Sequence, residues 1–137
     1  MINNELRILV ADDDPCFAEM LGYYLGSMGY YLDIAENGST AYQYVRTREY
    51  DLVLIDFNIP LMDRIDSIKA IREKNESVYI VLMGGDISDE TEAAVRLGAN
   101  AILFKPFPMA LLQIHLNRVQ RWKETCAVQS NTCAEAV

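Results

Sequence analysis

The chain has 137 residues and a mass of 15.5 kDa, the size of one ordinary domain with a core of its own. Twelve basic and 20 acidic side chains give a formal net charge of −8, which argues against nucleic-acid binding and against docking on an anionic membrane surface. Hydrophobic residues make up 51% of the chain and charged residues 23%, a composition typical of globular proteins and not of disordered ones.

Targeting signals and cysteine motifs are not found in the sequence. No apolar run approaches the roughly eighteen residues of a membrane helix, and the first residues lack the pattern of a secretory signal. Cys16, Cys126 and Cys133 form no CxxC pair and have no histidine near them, so neither a disulfide framework nor a zinc site is expected. We therefore expect a cytoplasmic protein with reduced thiols.

Short apolar segments alternate with amphipathic segments along the whole chain. The apolar segments predict strands, and the segments whose apolar residues recur every three or four positions predict helices. In chain order, the prediction is a strand at 6–11, a helix at 15–28, a strand at 30–35, a helix from 38, a strand at 51–56, a helix at 63–74, a strand at 78–83, a helix at 88–97, a strand at 101–104 and a helix at 108–123. Asp14 is expected to cap the first helix, with Pro15 as its first residue.

Five strands that each precede a helix predict an α/β protein of the (βα)5 type. Because the strands are almost continuously apolar and their connections are helical, we expect a parallel sheet covered on both faces. Right-handed connections then give a doubly wound, five-stranded sheet in the order 2-1-3-4-5, a flavodoxin-like arrangement. The helical pattern fades from Glu124, so we expect the domain to span residues 1–123 and residues 124–137 to form a mobile tail or linker.

Charged side chains follow the carboxyl ends of three strands. Asp12 and Asp13 follow the first strand, Asp56 ends the third, and Lys105 follows the fifth. In an open parallel sheet ligands bind at these ends, near the switch in strand order, so we expect the four side chains to share one crevice. Clustered carboxylates are costly without a cation, and their oxygens suit Mg²⁺ or Mn²⁺. A carboxylate beside such an ion and a lysine can form an aspartyl-phosphate.

These acidic residues have two other interpretations. Acidic residues at strand ends often serve as turn and cap residues, which is the better explanation for Asp14 and Asp63. A flavin or nucleotide site would need a loop rich in glycine, serine or threonine after the first strand, where this chain has three consecutive aspartates. That site is therefore discarded.

Three segments resemble the receiver domain of two-component response regulators, the family that includes the single-domain chemotaxis regulator. They are residues 8–14 (ILVADDD), 56–63 (DFNIPLMD) and 98–107, which runs from GANA to KPF; the resemblance covers about residues 5–120. It implies that Asp56 accepts a phosphoryl group from a sensor histidine kinase or a phosphotransfer protein. It also implies that Asp13 ligates Mg²⁺ directly, that Asp12 does so through water or orients the ion, and that the output is contact with a downstream effector protein.

The resemblance assigns further roles beside the acceptor. The backbone carbonyl of Asn58 is a metal ligand, Lys105 and the backbone N–H of Gly84 bind the phosphoryl group, and the bond between Lys105 and Pro106 is cis. The chemistry is then confined to phosphorylation and dephosphorylation of Asp56 itself. An aspartyl-phosphate phosphatase would need a second carboxylate where Asn58 stands, so an enzyme acting on other substrates is not expected.

The sequence departs from the family at three positions. Met83 stands where the family has serine or threonine, Ile102 where it has the switch aromatic, and Arg64 where it usually has glycine. A thioether donates no hydrogen bond, so the phosphorylated arrangement loses about 1.5–3 kcal/mol. We therefore expect a receiver with a blunted or rewired switch, although both Met83 and Ile102 are also ordinary core residues. The alternative is a pseudo-receiver-like adaptor that binds partners without phosphorylation.

A homodimer is a further expectation. The fourth helix, fifth strand and fifth helix carry apolar residues that could form an interface between two copies, unless most of them face the core. These residues are Ala94, Leu97, Ile102, Leu112 and Leu116.

Overall fold

The computed structural model describes residues 6–59, 64–85 and 89–136. The strands are β1 (Arg7–Ala11), β2 (Tyr31–Ala35), β3 (Leu52–Asp56), β4 (Tyr79–Gly84) and β5 (Ala101–Phe104). The helices are α1 (Pro15–Ser27), α2 (Gly38–Thr47), α3 (Arg64–Lys74), α4 (Asp89–Arg96) and α5 (Met109–Ala136). All strand pairs are parallel and the sheet order is β2-β1-β3-β4-β5, which confirms the predicted doubly wound, flavodoxin-like α/β fold.

The central strands are buried on both faces. Alternate side chains of β1, β3 and β4 point to opposite sides, so each strand contributes to two apolar clusters. One cluster packs against α2, α3 and α4 and includes Leu9, Val53, Leu82, Ala41, Ile68 and Ala94. The other packs against α1 and α5 and includes Val10, Leu54, Val81, Leu21, Leu112 and Leu116. Burial on both faces explains why these strands contain almost no polar residue.

The predicted helix starts are present where the side chains are described. The Asp14 carboxylate accepts hydrogen bonds from the backbone N–H groups of Cys16 and Phe17, and Pro15 follows as the first helical residue. Asn37 caps α2 by accepting from the N–H of Thr40. The proposed cap Asp63 lies outside the described residues, as does the side chain of Arg64 with its expected effect on the loop.

Helix α5 is longer than predicted. The sequence prediction ends it near residue 123, but the structure continues it to Ala136. Residues 124–136 contain no glycine or proline and include several good helix formers, so backbone hydrogen bonding can continue without an apolar face. Over the described ranges, none of the helices is both long enough and apolar enough to cross a bilayer.

The apolar face expected to form a homodimer is mostly interior. Ala94, Leu112 and Leu116 have no exposed surface, and Leu97 and Ile102 are partly buried against the α2–α4 cluster. The alternative, that most of these residues face the core, is therefore confirmed, and a homodimer through the α4–β5–α5 side of the domain stays a prediction.

Candidate functional site

The carboxyl ends of β1 and β3 bring three carboxylates together. β1 and β3 are paired in the sheet, Asp12 and Asp13 directly follow β1, and Asp56 is the last residue of β3. One carboxylate oxygen from each of the three lies within 4.8 Å of the others. Asp12 is buried, Asp56 is partly buried and Asp13 is exposed. We call this group, together with Lys105, the acidic crevice.

Lys105 enters the acidic crevice from the loop after β5. Its Nζ donates hydrogen bonds to Oδ2 of Asp12 at 2.6 Å and to Oδ2 of Asp56 at 2.9 Å. Burial alone would lower the pKa of Lys105, but the hydrogen bonds and charges of the two aspartates outweigh it and the pKa is raised. The side chain is therefore a charged ammonium at neutral pH, and it offsets one of the three carboxylates.

Backbone groups hold the other carboxylate oxygens in place. Oδ1 of Asp12 accepts from the N–H of Asp14 at 2.9 Å, and Oδ1 of Asp56 accepts from the N–H of Asn58 at 2.8 Å. The peptide bond between Lys105 and Pro106 is cis, as the resemblance implies. Asp12 and Asp56 are thus oriented before any ligand arrives.

The donor set of the acidic crevice fits a hard divalent cation. Three carboxylates and one ammonium carry an excess of two negative charges at neutral pH, and the oxygens belong to groups that range from buried to exposed. Mg²⁺ prefers a few carboxylate oxygens and keeps several waters, and exposed Asp13 leaves room for them. Asp12, Asp13 and Asp56 are therefore the residues that could hold Mg²⁺ or Mn²⁺.

Gly84 is the last residue of β4, and Asn58 and Gly85 lie on the loops that follow β3 and β4. The backbone of this region is tied together, because the carbonyl of Gly84 accepts from the N–H of Lys105 at 2.7 Å. Gly84 is partly buried, whereas Asn58 and Gly85 are exposed. The metal-ligand role of the Asn58 carbonyl and the phosphoryl-binding role of the Gly84 N–H stay predictions.

Met83 lies beside Asp56 in the sheet, and the resemblance sets it against a serine or threonine. It pairs with Asp56 in the β3–β4 register, and its carbonyl accepts from the N–H of Phe57 at 2.8 Å. Its side chain is fully buried in the cluster that packs against α1 and α5. Ile102 packs against the opposite cluster. Both residues therefore fill the core, and they lie on different faces of the sheet.

Phe17 is a contact of the site that the sequence analysis missed. The Nζ of Lys105 lies 4.2 Å from the centroid of the Phe17 ring, and that ring packs edge-on against Phe107 at 5.9 Å between centroids. A cation above an aromatic face is attracted to it. The only sequence signal was an aromatic residue in the first turn of the helix that follows Asp14, which by itself is typical of core packing.

Comparison with known proteins agrees with this geometry. A family model described as the response regulator receiver domain matches residues 8–117. The sensor protein EvgS of Escherichia coli strain K12 is 35% identical over 118 residues, which is 85% of this chain and 10% of that protein. The chain therefore spans about a tenth of the length of this relative.

Solved structures of similar proteins are also receiver domains. The receiver domain of the Francisella response regulator 1452 has 27% identity and a TM-score of 0.78, covering 87% of this chain and 99% of that one. The receiver domain of the sensor histidine kinase PA1611 from Pseudomonas aeruginosa PAO1 has 27% identity and a TM-score of 0.75, covering 85% and 98%. That structure has a magnesium ion coordinated in its active site cleft.

Proposed function

The chain belongs to the response regulator receiver family, and we propose on that premise that Asp56 accepts a phosphoryl group in a two-component phosphorelay. The donor is the phosphohistidine of a sensor histidine kinase or phosphotransfer protein, and the signal leaves through a protein partner in the cytoplasm. The observation that carries the proposal is the convergence of Asp12, Asp13 and Asp56 opposite the Lys105 ammonium.

The residues of the acidic crevice have different roles in phosphoryl transfer. A carboxylate oxygen of Asp56 attacks phosphorus while the phosphorus–nitrogen bond breaks, and the leaving imidazole keeps the electron pair. Lys105 then binds a phosphoryl oxygen, and the N–H of Gly84 donates to another. Asp12, Asp13, Asp56 and the Asn58 carbonyl would hold Mg²⁺, which neutralises phosphoryl charge when bound. The magnesium ion in the PA1611 receiver supports this choice of metal.

Phosphorylation by acetyl phosphate with Mg²⁺ tests the acceptor, read as a gain of one phosphoryl group in the intact mass. We expect wild type to gain it and Asp56→Asn to lose the gain. Asp14→Asn is the matched control: it removes a neighbouring carboxylate while asparagine still caps α1, so labelling is retained. A mass gain that persists in Asp56→Asn, or none in wild type, would contradict the proposal.

We further propose that phosphorylation moves the α4–β5–α5 side of the domain less than it does in receivers with a hydroxyl residue at the end of β4. The supporting observation is that Met83 has no donor to offer a phosphoryl oxygen and is packed in the core. Backbone amide NMR shifts on phosphorylation should be smaller in wild type than in Met83→Thr. Equal shifts in the two proteins would contradict a blunted switch.

The second candidate function is a binding adaptor that needs no phosphorylation. It is favoured by Met83, which is buried in the core, and by Ile102, which packs against the core from the other face of the sheet. Labelling decides between the candidates. If neither wild type nor Met83→Thr gains a phosphoryl group although both bind Mg²⁺, the adaptor is favoured. Labelling of wild type that Asp56→Asn abolishes favours the phospho-acceptor.

A further inference from the structure

A cleft of about 620 Å³ opens at the amino-terminal end of the sheet, away from the acidic crevice. It lies among the ends of α2 and α3, the starts of the central strands and the middle of α5. The strands are five or six residues long, so the two ends of the sheet are roughly 17 Å apart. The volume is within the range of pockets that hold small molecules. We call it the amino-end cleft.

The rim of the amino-end cleft is positively charged although the chain as a whole is acidic. Five cationic and two acidic residues line it, which leaves an excess of three positive charges in a chain of net charge −8. The cationic residues are Arg7, Arg46, Arg48, Lys74 and Lys123. They come from β1, α2, the turn after α2, α3 and α5, so separate parts of the chain converge on this rim.

Two of these cations pair with a carboxylate. Arg48 pairs with Asp33 at 3.0 Å, and Lys123 pairs with Asp51 at 3.1 Å. Among the residues that the structure describes, the other three cationic side chains make no ion pair. They are Arg7, Arg46 and Lys74. The guanidinium groups of Arg7 and Arg46 lie over the rings of Tyr31 and Tyr42, so none of the carboxylates that the structure describes neutralises their charge.

Favourable interactions with helix C-termini explain the positions of only some of these cationic side chains. Arg46 and Lys74 lie in the last turns of α2 and α3, where a cation interacts favourably with the terminal carbonyl groups. Arg7 begins a strand and Lys123 lies within α5, so neither is placed there by such an effect. The convergence of cations from both kinds of element favours the binding of an anion.

The floor of the amino-end cleft contains four apolar side chains. The buried side chains that line it are Val45, Val53, Ile71 and Val78. Tyr50 also lines it, and its hydroxyl donates to Oδ2 of Asp33 at 2.6 Å. Burial, followed by that hydrogen bond, raises the pKa of Tyr50 well above its ordinary value, so the phenol is neutral. An apolar floor below a cationic rim suits a ligand with a ring system and an anionic group.

We infer that the amino-end cleft binds a phosphorylated small molecule of the nucleoside monophosphate class. Its ring system lies on the apolar floor, and its phosphate contacts the rim at Arg46 and Lys74. This site is separate from the phosphoryl-accepting Asp56, and the inference does not depend on phosphorylation of the chain.

Titration of the whole chain with AMP in the presence of EDTA tests the inference, with backbone amide NMR shifts as the readout. We expect shifts at the ends of α2 and α3 and a weaker response to inorganic phosphate, which has no ring system. Lys74→Glu and Arg46→Glu, both changes of exposed side chains, should each weaken AMP binding by about tenfold or more. Arg121→Glu is the matched control, because Arg121 is exposed on α5 and does not line the cleft.

Four outcomes would overturn the inference. The first is no shift with AMP, and the second is shifts confined to the acidic crevice. The third is equal weakening by Arg121→Glu and Lys74→Glu, which would show a general charge effect. Equal affinity for AMP and inorganic phosphate would overturn the ligand class, because the apolar floor would then contribute nothing.

Discussion

At the scale of single residues, one ammonium group stabilises two carboxylates of the acidic crevice. Lys105 bonds both Asp12 and Asp56, and the side chain of Asp12 has no exposed surface. Removing the ammonium therefore leaves a buried carboxylate without its cation, which costs more than the attraction of an exposed pair. The same lysine is available to a phosphoryl group only if Asp12 and Asp56 gain another cation.

Lys105→Met keeps the aliphatic stem and removes the charge. Without divalent ions, we expect the free energy of unfolding to fall by about 2–3 kcal/mol, at the lower end for a broken buried pair because Lys105 is 25% exposed. Urea unfolding measures it. Lys69→Met, a change of an exposed lysine on α3, should have almost no effect. An equal loss in the two variants would show that the ion pairs of Lys105 contribute nothing.

His115 is the single histidine of the chain, which makes its titration easy to follow. Burial, followed by the charge of Arg118, lowers the pKa of His115, and its Nδ1 lies 2.8 Å from the hydroxyl oxygen of Tyr79. The folded-state pKa is below the unfolded value of about 6.5, so protonation favours unfolding. The contribution of His115 to stability is therefore present above pH 6.5 and is lost as the pH falls below it.

An NMR titration of the His115 ring protons should give a midpoint below about 6.5. Arg118→Gln should move the midpoint up, because it removes the repelling charge. Arg121→Gln is the control, since Arg121 does not contribute to the shift. A wild-type midpoint at or above 6.5 would contradict the expected burial effect.

The residues of the acidic crevice were predictable because their positions depend on the sheet alone. Asp12, Asp13 and Asp56 directly follow or end parallel strands, and parallel strands place such residues at one edge. The contact between Phe17 and Lys105 was not predictable, because it depends on how α1 packs beside the loop after β5. No spacing within the sequence encodes that distance.

At the scale of elements, one arginine joins the end of α3 to the loop between α4 and β5. The Arg72 guanidinium donates to the carbonyls of Glu76, Val78 and Gly98. Gly98 has a φ of +130°, and a Cβ added there would lie 2.8 Å from Cγ of Arg72. The glycine is thus required both by its backbone conformation and by the arginine beside it.

Gly98→Ala should lower the free energy of unfolding by about 2 kcal/mol, because it adds backbone strain and displaces Arg72. Gly26→Ala is a control with the opposite sign: Gly26 lies in α1 with open space where its Cβ would be, so alanine should stabilise by about 0.5–1 kcal/mol. Denaturant unfolding measures both changes. Gly98→Ala with wild-type stability would show that the loop can rearrange without cost.

The end of the domain is also a question about an element, because α5 continues past the end of the domain predicted from the sequence. Val119 is the last residue of α5 in the buried clusters among the side chains that the structure describes, and Lys123 pairs with Asp51. We propose that residues 1–123 form the receiver domain and that residues 124–137 are a tail or linker. A chain ending at Lys123 should keep its free energy of unfolding within about 0.5 kcal/mol and lose only the helical circular dichroism of residues 124–136. A larger loss of stability would place part of the linker in the domain.

The elements themselves followed from the sequence except at this helix end. Apolar runs bounded by charged or turn residues located all five strands to within one or two residues. The length of an element was predictable where the burial of its side chains determines it, as in the central strands. Beyond residue 123 the helix no longer needs an apolar face, so apolar periodicity carries no information about where it ends.

At the scale of the whole molecule, the sheet separates two regions of opposite charge. The carboxyl end holds the acidic crevice, and the amino end holds the cationic rim. The overall charge of −8 draws cations toward the protein at low ionic strength. Since only the acidic crevice brings three carboxylates together in the described part of the chain, a divalent ion should bind there and stabilise the fold.

Mg²⁺ at 100 times its dissociation constant should raise the free energy of unfolding of wild type by about 2.7 kcal/mol, because the ion binds the folded state. Asp13→Asn should lose most of this gain, since it removes the exposed carboxylate of the site. Without metal the same variant should be more stable than wild type, because fewer like charges then repel one another. Thermal unfolding with and without Mg²⁺ measures both effects.

Asp14→Asn is the control for this measurement, because it changes the adjacent residue while preserving the cap of α1. It should respond to Mg²⁺ as wild type does. If Asp13→Asn gained as much stability from Mg²⁺ as wild type, the ion would bind outside the acidic crevice. Asp56 would then have to accept a phosphoryl group without a metal beside it, and the carboxylates around it would repel the donor. The stability measurement therefore tests the electrostatic premise of phosphoryl transfer before any phosphodonor is added.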